Sequence, residues 1–546
     1  MKSTRSLRLS CALVGAFSIA QLASAQVSTA GAEIRTPPAP HTPHINGPGI
    51  FGVRPEHPFL YHIPATGDRP MTFSVDNLPD GLQVDPHTGN ITGTIGKAGD
   101  YVVTFHAKNA LGSNDKQFKI VVGETIDLTP AMGWNSWNHY AGRITQDIVL
   151  QNAKAMADSG LIDHGWTYVN IDDTWQGKRG GPFHGLQGND KFPDIKKLCD
   201  QIHAMGLKFG IYSTPWETSY AGYAGGSSEN PEGDWTPWKG TGKKPVNKKI
   251  LPFAIAPYHF YTNDANQWGA WGVDYLKYDW NPIEYPETQE MYDALRNSGR
   301  DVIFSLSNNM NVTNGPTCGK IANSWRTTGD IKANWASMSS KGFGQDKWRK
   351  YSSPGHWNDP DMLEIGTAEK NQPGLTPDEE YTHMTLWCLV CAPLLLANDM
   401  STMDAFTKNL LENDEVIAVS QDSLGDQAVS VASTADTKVY VKKLEDGTKA
   451  VGLFNVSSNG VATVTVKWSD LGLSGDQNVR DLWRQKELGK FKDQYSVQVA
   501  PHGAELIKVG GAAAAPAAIQ KTSAPARSGN RSPGGHGAEQ LLKSRP

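Results

Sequence analysis

Lys277 and Asp279, two residues apart in YLKYDWNP (Tyr275–Pro282), have the types and spacing best suited to chemistry on a hydroxyl-rich molecule. In a β-strand successive side chains point to opposite faces, so this ammonium and this carboxylate share one. Pro282 ends any hydrogen-bonded ladder and turns the chain into a loop. The ammonium can hold hydroxyls and keep the carboxylate ionised, and an ionised carboxylate so placed can attack carbon. Taken alone, the pair reads equally well as a structural ion pair at a strand end. A second carboxylate, Asp330 in SWRTTGD, follows Arg326 by four residues. Two carboxyl groups are the minimum for hydrolysing a glycoside, one attacking or activating water and one protonating the leaving oxygen. The arginine should hold Asp330 ionised. To carry a proton, Asp330 must therefore be partly desolvated or held near Asp279.

These residues need a scaffold that gathers distant strand ends. From about Asp127 to Ser420 short apolar runs recur: AMGWNSW, TYVNIDD, LKFGIYS, DYLKYDW, DVIFSLS, SWRTTGD, HWNDPDM and PLLLAND. Amphipathic helical stretches such as QDIVLQNAKAMADSGL and PDIKKLCDQIHAMGL separate several of them. Alternating strand and helix over this length predicts a parallel α/β sheet, and eight strands fit a (β/α)8 barrel. A doubly wound sheet would usually carry a glycine-rich phosphate turn after its first strand; here that turn reads GWNSWNHY. In a barrel all C-terminal strand ends open onto one face. Trp134, Asp172, Asp173, Tyr212, Asp279, Asp330, Asp361 and Asp399 then become neighbours. The glycine- and aromatic-rich insertion from about Glu217 to Ile250 is expected to form a wall of that cleft.

The flanks differ in texture. A charged start (Lys2, Arg5, Arg8), an apolar run from Leu9 to Ala20 and Ala23-Ser24-Ala25 mark residues 1–25 as a signal peptide, so the protein is expected to be exported, periplasmic or secreted. No other run approaches a membrane span. Residues 26–45 are a Pro-rich linker. Residues 46–124 alternate strands with LPDG, PHTGN and KAGD turns, an Ig-like β-sandwich. The barrel is assigned to 125–420, a C-terminal antiparallel β-sandwich to 421–509, and a low-complexity disordered tail to 510–546. Net charge is −5 with no basic block between the ends, which argues against nucleic-acid binding. The 17 Trp suit stacking on sugar rings, although most should pack cores. Cys388 and Cys391, in TLWCLVCAPLLLAND, read as buried thiols. No His pair has zinc spacing and no acidic loop matches a calcium hand. No metal or cofactor is expected.

Taken together, MGWNSW, IDD, GIYS, YAGYAGG, LKYD, SWRTTGD, WNDPDMLEIG and LWCLVCAPLLLANDM, in this order, resemble glycoside hydrolase family 27. This is the family of α-galactosidases and α-N-acetylgalactosaminidases. LPDGLQVDPHTGNITGTIGKAGDYVVTFHAKNALG resembles the Ig-like domains appended to bacterial glycosidases. The resemblance implies a retaining enzyme on a (β/α)8 barrel with a C-terminal β-sandwich. It makes Asp279 the nucleophile and Asp330 the acid/base, with Asp172 and Asp173 holding the sugar's 4- and 6-hydroxyls. Lys277, Arg326, Trp134 and Tyr212 match other pocket residues. The implied substrate is a terminal α-galactoside of an oligo- or polysaccharide.

The chain departs from the family pattern in three places. SLSNNM (Ser305–Met310) stands where many members read CEWP or CSWP, putting Ser307 at the position that reads the sugar's 2-substituent. Tyr220 and Asn281 occupy positions that the resemblance would bridge as cysteines, and Leu306 and Ala322 replace another such pair. Thr174 replaces the Cys of IDDCW. A small Ser307 favours an acetamido group on volume; Asn308, Asn309 and Asn311 nearby favour hydrogen bonds to a 2-hydroxyl, and galactose is the expected sugar. The alternatives are an α-N-acetylgalactosaminidase, a β-L-arabinopyranosidase, an isomalto-dextranase, or an inactive carbohydrate-binding protein. The last would have lost Asp279 or Asp330, and both are present. Asp359 and Asp361 in WNDPDM read as structural acids.

Overall fold

The computed structural model describes residues 29, 31–234, 253–366 and 373–511. Residues 1–25, expected to be a signal peptide, nearly all of 510–546, expected to be a disordered tail, and residues 235–252 of the long insertion lie outside them.

Eight short parallel strands form the central sheet: β1 (Met132–Asn135), β2 (Tyr168–Asn170), β3 (Lys208–Ser213), β4 (Tyr275–Asp279), β5 (Ile303–Ser307), β6 (Ser324–Arg326), β7 (Trp357–Asp359) and β8 (Leu394–Leu396). Their order is β7-β6-β5-β4-β3-β2-β1-β8. The circle closes just past β7, where Leu363 pairs with Leu396 and its N–H donates to the Leu395 carbonyl at 2.8 Å. Each expected apolar run supplies one strand of a (β/α)8 barrel. The strands are buried on both faces, as parallel sheets covered by helices must be; β3, KFGIYS, is buried at every position.

The helices between strands start where the sequence supplies caps. The Thr145 hydroxyl accepts from Ile148 N–H ahead of Gln146–Asp158, and the Asp194 carboxylate from Lys197 N–H ahead of Ile195–Ala204. Pro377–Leu389 opens with a capping box of Thr376 and Glu379 and is almost wholly buried. It lies between the barrel and the C-terminal sandwich, where Thr385 accepts from the Trp483 indole at 2.9 Å and Thr382 donates to the His502 carbonyl at 2.6 Å. That sandwich pairs a six-stranded antiparallel sheet with a two-stranded antiparallel sheet of Ala462–Lys467 and Gln494–Val499.

At the N-terminus a four-stranded and a three-stranded sheet enclose a core that includes Phe59, Phe73, Val103, Phe105, Phe118 and Ile120. This Ig-like unit sits against the N-terminal ends of the barrel strands. Arg54 clamps the loop before β5: its backbone and Nε reach Asp301 at 2.8 and 2.6 Å, and its other nitrogens reach the Arg296 and Arg300 carbonyls. Lys208, at the start of β3, lies over Phe51 at 4.2 Å. The segment leading into the Ig-like unit is packed, with buried Arg35 over the Tyr381 ring at 4.0 Å. The four described cysteines are free and buried.

Candidate active site

The C-terminal strand ends surround a cavity of about 730 Å³. β4 supplies Lys277 and Asp279 to its wall, while Leu276 and Tyr278, which alternate with them, are fully buried. The alternation expected of a strand thus puts the two polar groups together. The ammonium, however, bonds to Asp172 Oδ2 at 2.8 Å rather than to Asp279. Asp172 is held further by the Asn135 amide at 3.0 Å and by Asp173 N–H at 2.8 Å. Asp173 accepts from the N–H groups of Thr174 and Ala221 at 2.6 and 2.8 Å, and burial still pushes its carboxyl up to about 6.

Asp279 differs from its neighbours. It is 7% exposed, and its Oδ1 is buried with no hydrogen-bond partner. Burial pushes its carboxyl up to about 7; Lys277 and Arg326 pull it down, Asp172 and Asp330 push it up, and burial dominates. The expectation that the Lys277 ammonium can keep Asp279 ionised is corrected for the free protein, because the ammonium bonds to Asp172 and burial outweighs its pull on Asp279.

Arg326 organises the opposite wall. Its guanidinium, 5% exposed, reaches Asp361 at 2.8 Å and Asp330 at 3.2 Å. The side chain of Asp330 is 75% exposed. Partial desolvation raises its carboxyl, but Arg326 and Lys277 outweigh that and hold it below the ordinary range. Asp361 is fixed by the N–H groups of Ile331 at 2.7 Å and Met362 at 2.9 Å. Its φ of +105° is strained for a non-glycine residue, as at sites where geometry is over-determined. The Tyr212 hydroxyl is buried on the wall without a partner. Among the described residues no cluster of three or more His, Cys, Asp or Glu has metal-holding geometry.

This arrangement has known counterparts. The family profile described as Alpha galactosidase A matches residues 129–236 and 248–422. The profile for the alpha galactosidase C-terminal beta sandwich domain matches 434–509, and an Ig-domain profile matches 42–123. Alpha-galactosidase 2 of Arabidopsis thaliana is 37% identical over 401 residues, 71% of this chain and 91% of that protein. The chain belongs to the alpha-galactosidase family, glycoside hydrolase family 27. A solved structure from Bacteroides fragilis matches with a TM-score of 0.77 at 33% identity, over 86% of this chain and 98% of that one. A family 27 β-L-arabinopyranosidase from Geobacillus stearothermophilus matches with a TM-score of 0.59 at 29% identity, over 71% and 97%.

Of the residues singled out in the family motifs, Asp172, Asp173, Tyr212, Lys277, Asp279, Arg326 and Asp330 line the one cavity. Trp134 does not. It is fully buried on β1, its indole donating to the Asn398 carbonyl at 2.7 Å. The tryptophan on the wall is Trp137, three residues later. Ser307 is also displaced: it is 1% exposed and stands behind Arg326, whose Nη1 lies 3.5 Å from its hydroxyl, while Asn308 faces the cavity. Asp361, read as structural from sequence, lines the cavity as well as bracing Arg326. Asp399 instead caps a short turn through Ser401 N–H at 3.0 Å. Asn138, Trp216, Phe253 and Met362 join the wall without having been singled out, whereas Trp137 lay in MGWNSW, Asp361 in WNDPDM and Tyr220 in the insertion expected to wall the cleft.

Proposed function

We propose that this chain is a retaining exo-glycosidase that releases terminal α-linked galactose from oligo- or polysaccharides by double displacement. Asp279 attacks the anomeric carbon; Asp330 protonates the departing oxygen and then deprotonates the water that frees the sugar. The observation that carries this reading is the buried, unpartnered carboxylate oxygen of Asp279 on a cavity wall shared with Asp330. A structural aspartate would have both oxygens satisfied. In the free protein the proton sits on the wrong partner, with Asp279 pushed up and Asp330 held down. A bound sugar supplies the exchange: its 2-hydroxyl donates to Asp279 and favours the ionised form, while its body shields Asp330 from water and raises it.

Asp172 and Asp173 accept hydrogen bonds from the 4- and 6-hydroxyls, and acceptor pairs of this kind select an axial hydroxyl. Asn308, not Ser307, lines the cavity, and in this reading its amide would meet the 2-position. A site built to hydrogen-bond a hydroxyl discriminates by roughly 10⁴-fold, which supports galactose over its 2-acetamido analogue. The Geobacillus relative acts on a β-L-arabinopyranoside, a sugar lacking only the exocyclic hydroxymethyl group, and that is the second reading. Proton NMR of the first sugar released tests the mechanism: α-galactose before mutarotation is expected, and initial β-galactose overturns it. The kcat/KM of nitrophenyl α-galactoside should exceed those of the 2-acetamido and arabinopyranoside analogues; a ratio below one replaces the sugar and leaves the mechanism. Export is proposed from residues 1–25, and a mature N-terminus at Gln26 is the expected result of N-terminal sequencing.

A further inference from the structure

The cavity has two unlike halves. The polar half, Asp172, Asp173, Lys277, Asp279, Arg326 and Asp361, is sized and charged for one sugar. The other half is aromatic: Trp216, Tyr220 and Phe253 pack together with ring centroids 5.0, 5.1 and 5.6 Å apart, and all three line the cavity. Trp216 is buried behind the other two rings, which are half-buried. A volume of about 730 Å³ suits a ligand well beyond one hexose ring.

From the arrangement of this aromatic face we infer that Tyr220 and Phe253 form a platform for the leaving-group sugar, a hexopyranose linked to the galactose that is cleaved. The inference rests on the galactosidase reading above. Hexopyranoses carry an apolar C–H face that stacks on aromatic rings, and a preformed platform binds it at little ordering cost. This one is preformed. Ser219 N–H donates to the Tyr223 carbonyl at 2.7 Å, and Gly225 N–H to the Glu217 carbonyl at 2.8 Å. Ala221 N–H is bonded to Asp173 at 2.8 Å, which ties the loop carrying Tyr220 to the galactose end of the cavity. Tyr220 also shares the cavity wall with both reacting carboxyls, Asp279 and Asp330, the side from which the leaving group must depart. Tyr220 and Asn281 share this wall at two positions where the family motifs would place bridged cysteines. Here an aromatic surface occupies the place of a covalent tie.

The test compares an α-1,6-linked galactosyl hexose with α-galactosyl fluoride, whose leaving group has no ring to stack. Tyr220→Ala should lower kcat/KM on the disaccharide roughly 10-fold more than on the fluoride, a factor typical of losing one ring stack. Tyr220→Phe, which keeps the ring, should bring the two losses within about threefold of each other. Phe253→Ala should repeat the Ala pattern if Tyr220→Ala does not fold, with fluoride turnover reporting folding. Equal losses on both substrates, or Tyr220→Phe as damaging on the disaccharide as Tyr220→Ala, overturn the platform. A wild-type protein unable to hydrolyse galactosyl fluoride would instead overturn the underlying galactosidase reading.

Discussion

Strand β4 is bounded by two buried aspartates in opposite electrostatic conditions. At its beginning, Asp274 has both oxygens partnered: Arg300 reaches Oδ1 at 2.6 Å, and His203 and Phe209 N–H reach Oδ2 at 2.7 and 2.9 Å. Burial raises its carboxyl, but Arg300 and His203 outweigh burial and drive it far below the ordinary range. At the end of the strand, Asp279 is as deeply buried, yet one oxygen has no partner and the carboxyl stands at about 7. Both are 7% exposed, so depth does not separate them; satisfaction does. The Ig-covered face of the barrel is built for stability, and the open face holds charge in reserve for a ligand.

Activity should break the comparison most sharply. Asp279→Ala is expected to lower turnover at least roughly 10⁴-fold on every substrate, the scale of losing a nucleophile. Asp330→Ala should cost about 10²–10⁴-fold on the disaccharide and far less on substrates whose leaving group needs no proton. Azide separates the roles further. It should give β-galactosyl azide with the Asp279 variant, by direct attack, and α-galactosyl azide with the Asp330 variant, by attack on the covalent intermediate. The same azide anomer from both would sink the assignment.

Stability should run the other way. Removing one member of a buried ion pair costs about 3–5 kcal/mol, so Asp274→Asn should depress Tm markedly while the folded fraction keeps its kcat. Asp279→Asn should stabilise. Its carboxyl lies at about 7 in the folded protein against 3.8 unfolded, so between those values the unfolded chain releases a proton that the folded protein keeps. Wild-type stability therefore falls as pH rises across that window and is level above it. The variant should match wild type below pH 4 and exceed it above pH 7 by up to about 4 kcal/mol, because a tenfold change in proton affinity is worth about 1.36 kcal/mol. For Asp274 the sign reverses: its contribution is complete above the unfolded value and is lost only as pH falls through its depressed folded value. Denaturation curves at pH 4 and pH 7.5 decide the Asp279 case, and curves carried below pH 4 decide the Asp274 case; a destabilised Asp279→Asn at pH 7.5 would contradict the unsatisfied-carboxylate argument.

Much of this contrast is legible in the amino-acid sequence, and the omissions have physical causes. The eight apolar runs give the eight strands, because a parallel strand buried on both faces must be apolar along its length. The polar residue ending each run marks the open face. That same continuous burial removes the alternation that would say which way a side chain points. Trp134 and Trp137 could not be ranked from MGWNSW; the fully buried strand ends at Asn135, and only the second Trp lies beyond it. Ser307 is misplaced by one residue for the same reason, at the end of a strand buried throughout. The Arg54–Asp301 clamp joins residues 247 positions apart and left no local signal. Commitment of Lys277 to Asp172 is also invisible in sequence, since several carboxylates compete for one ammonium and only distance decides among them.

The subtlest expected effect is a reversal of pH limbs, and it bears directly on the unsatisfied carboxylate. Double displacement on a sugar leaving group needs one proton on the Asp279–Asp330 pair. In the free protein that proton resides on Asp279 and leaves at about 7; because kcat/KM reports the free enzyme, it should fall tenfold per pH unit above that value. Galactosyl fluoride needs no protonation of its leaving group, so it requires only an ionised Asp279. Its kcat/KM should rise with pH and level off above about 7, the opposite limb in the same interval. Asp330→Asn should move the fluoride limb to lower pH, because the Asp330 charge is one of those raising Asp279. Parallel limbs for the two substrates would mean that Asp279 is not the group titrating near neutrality, and the contrast between the two ends of β4 would then have to rest on geometry alone.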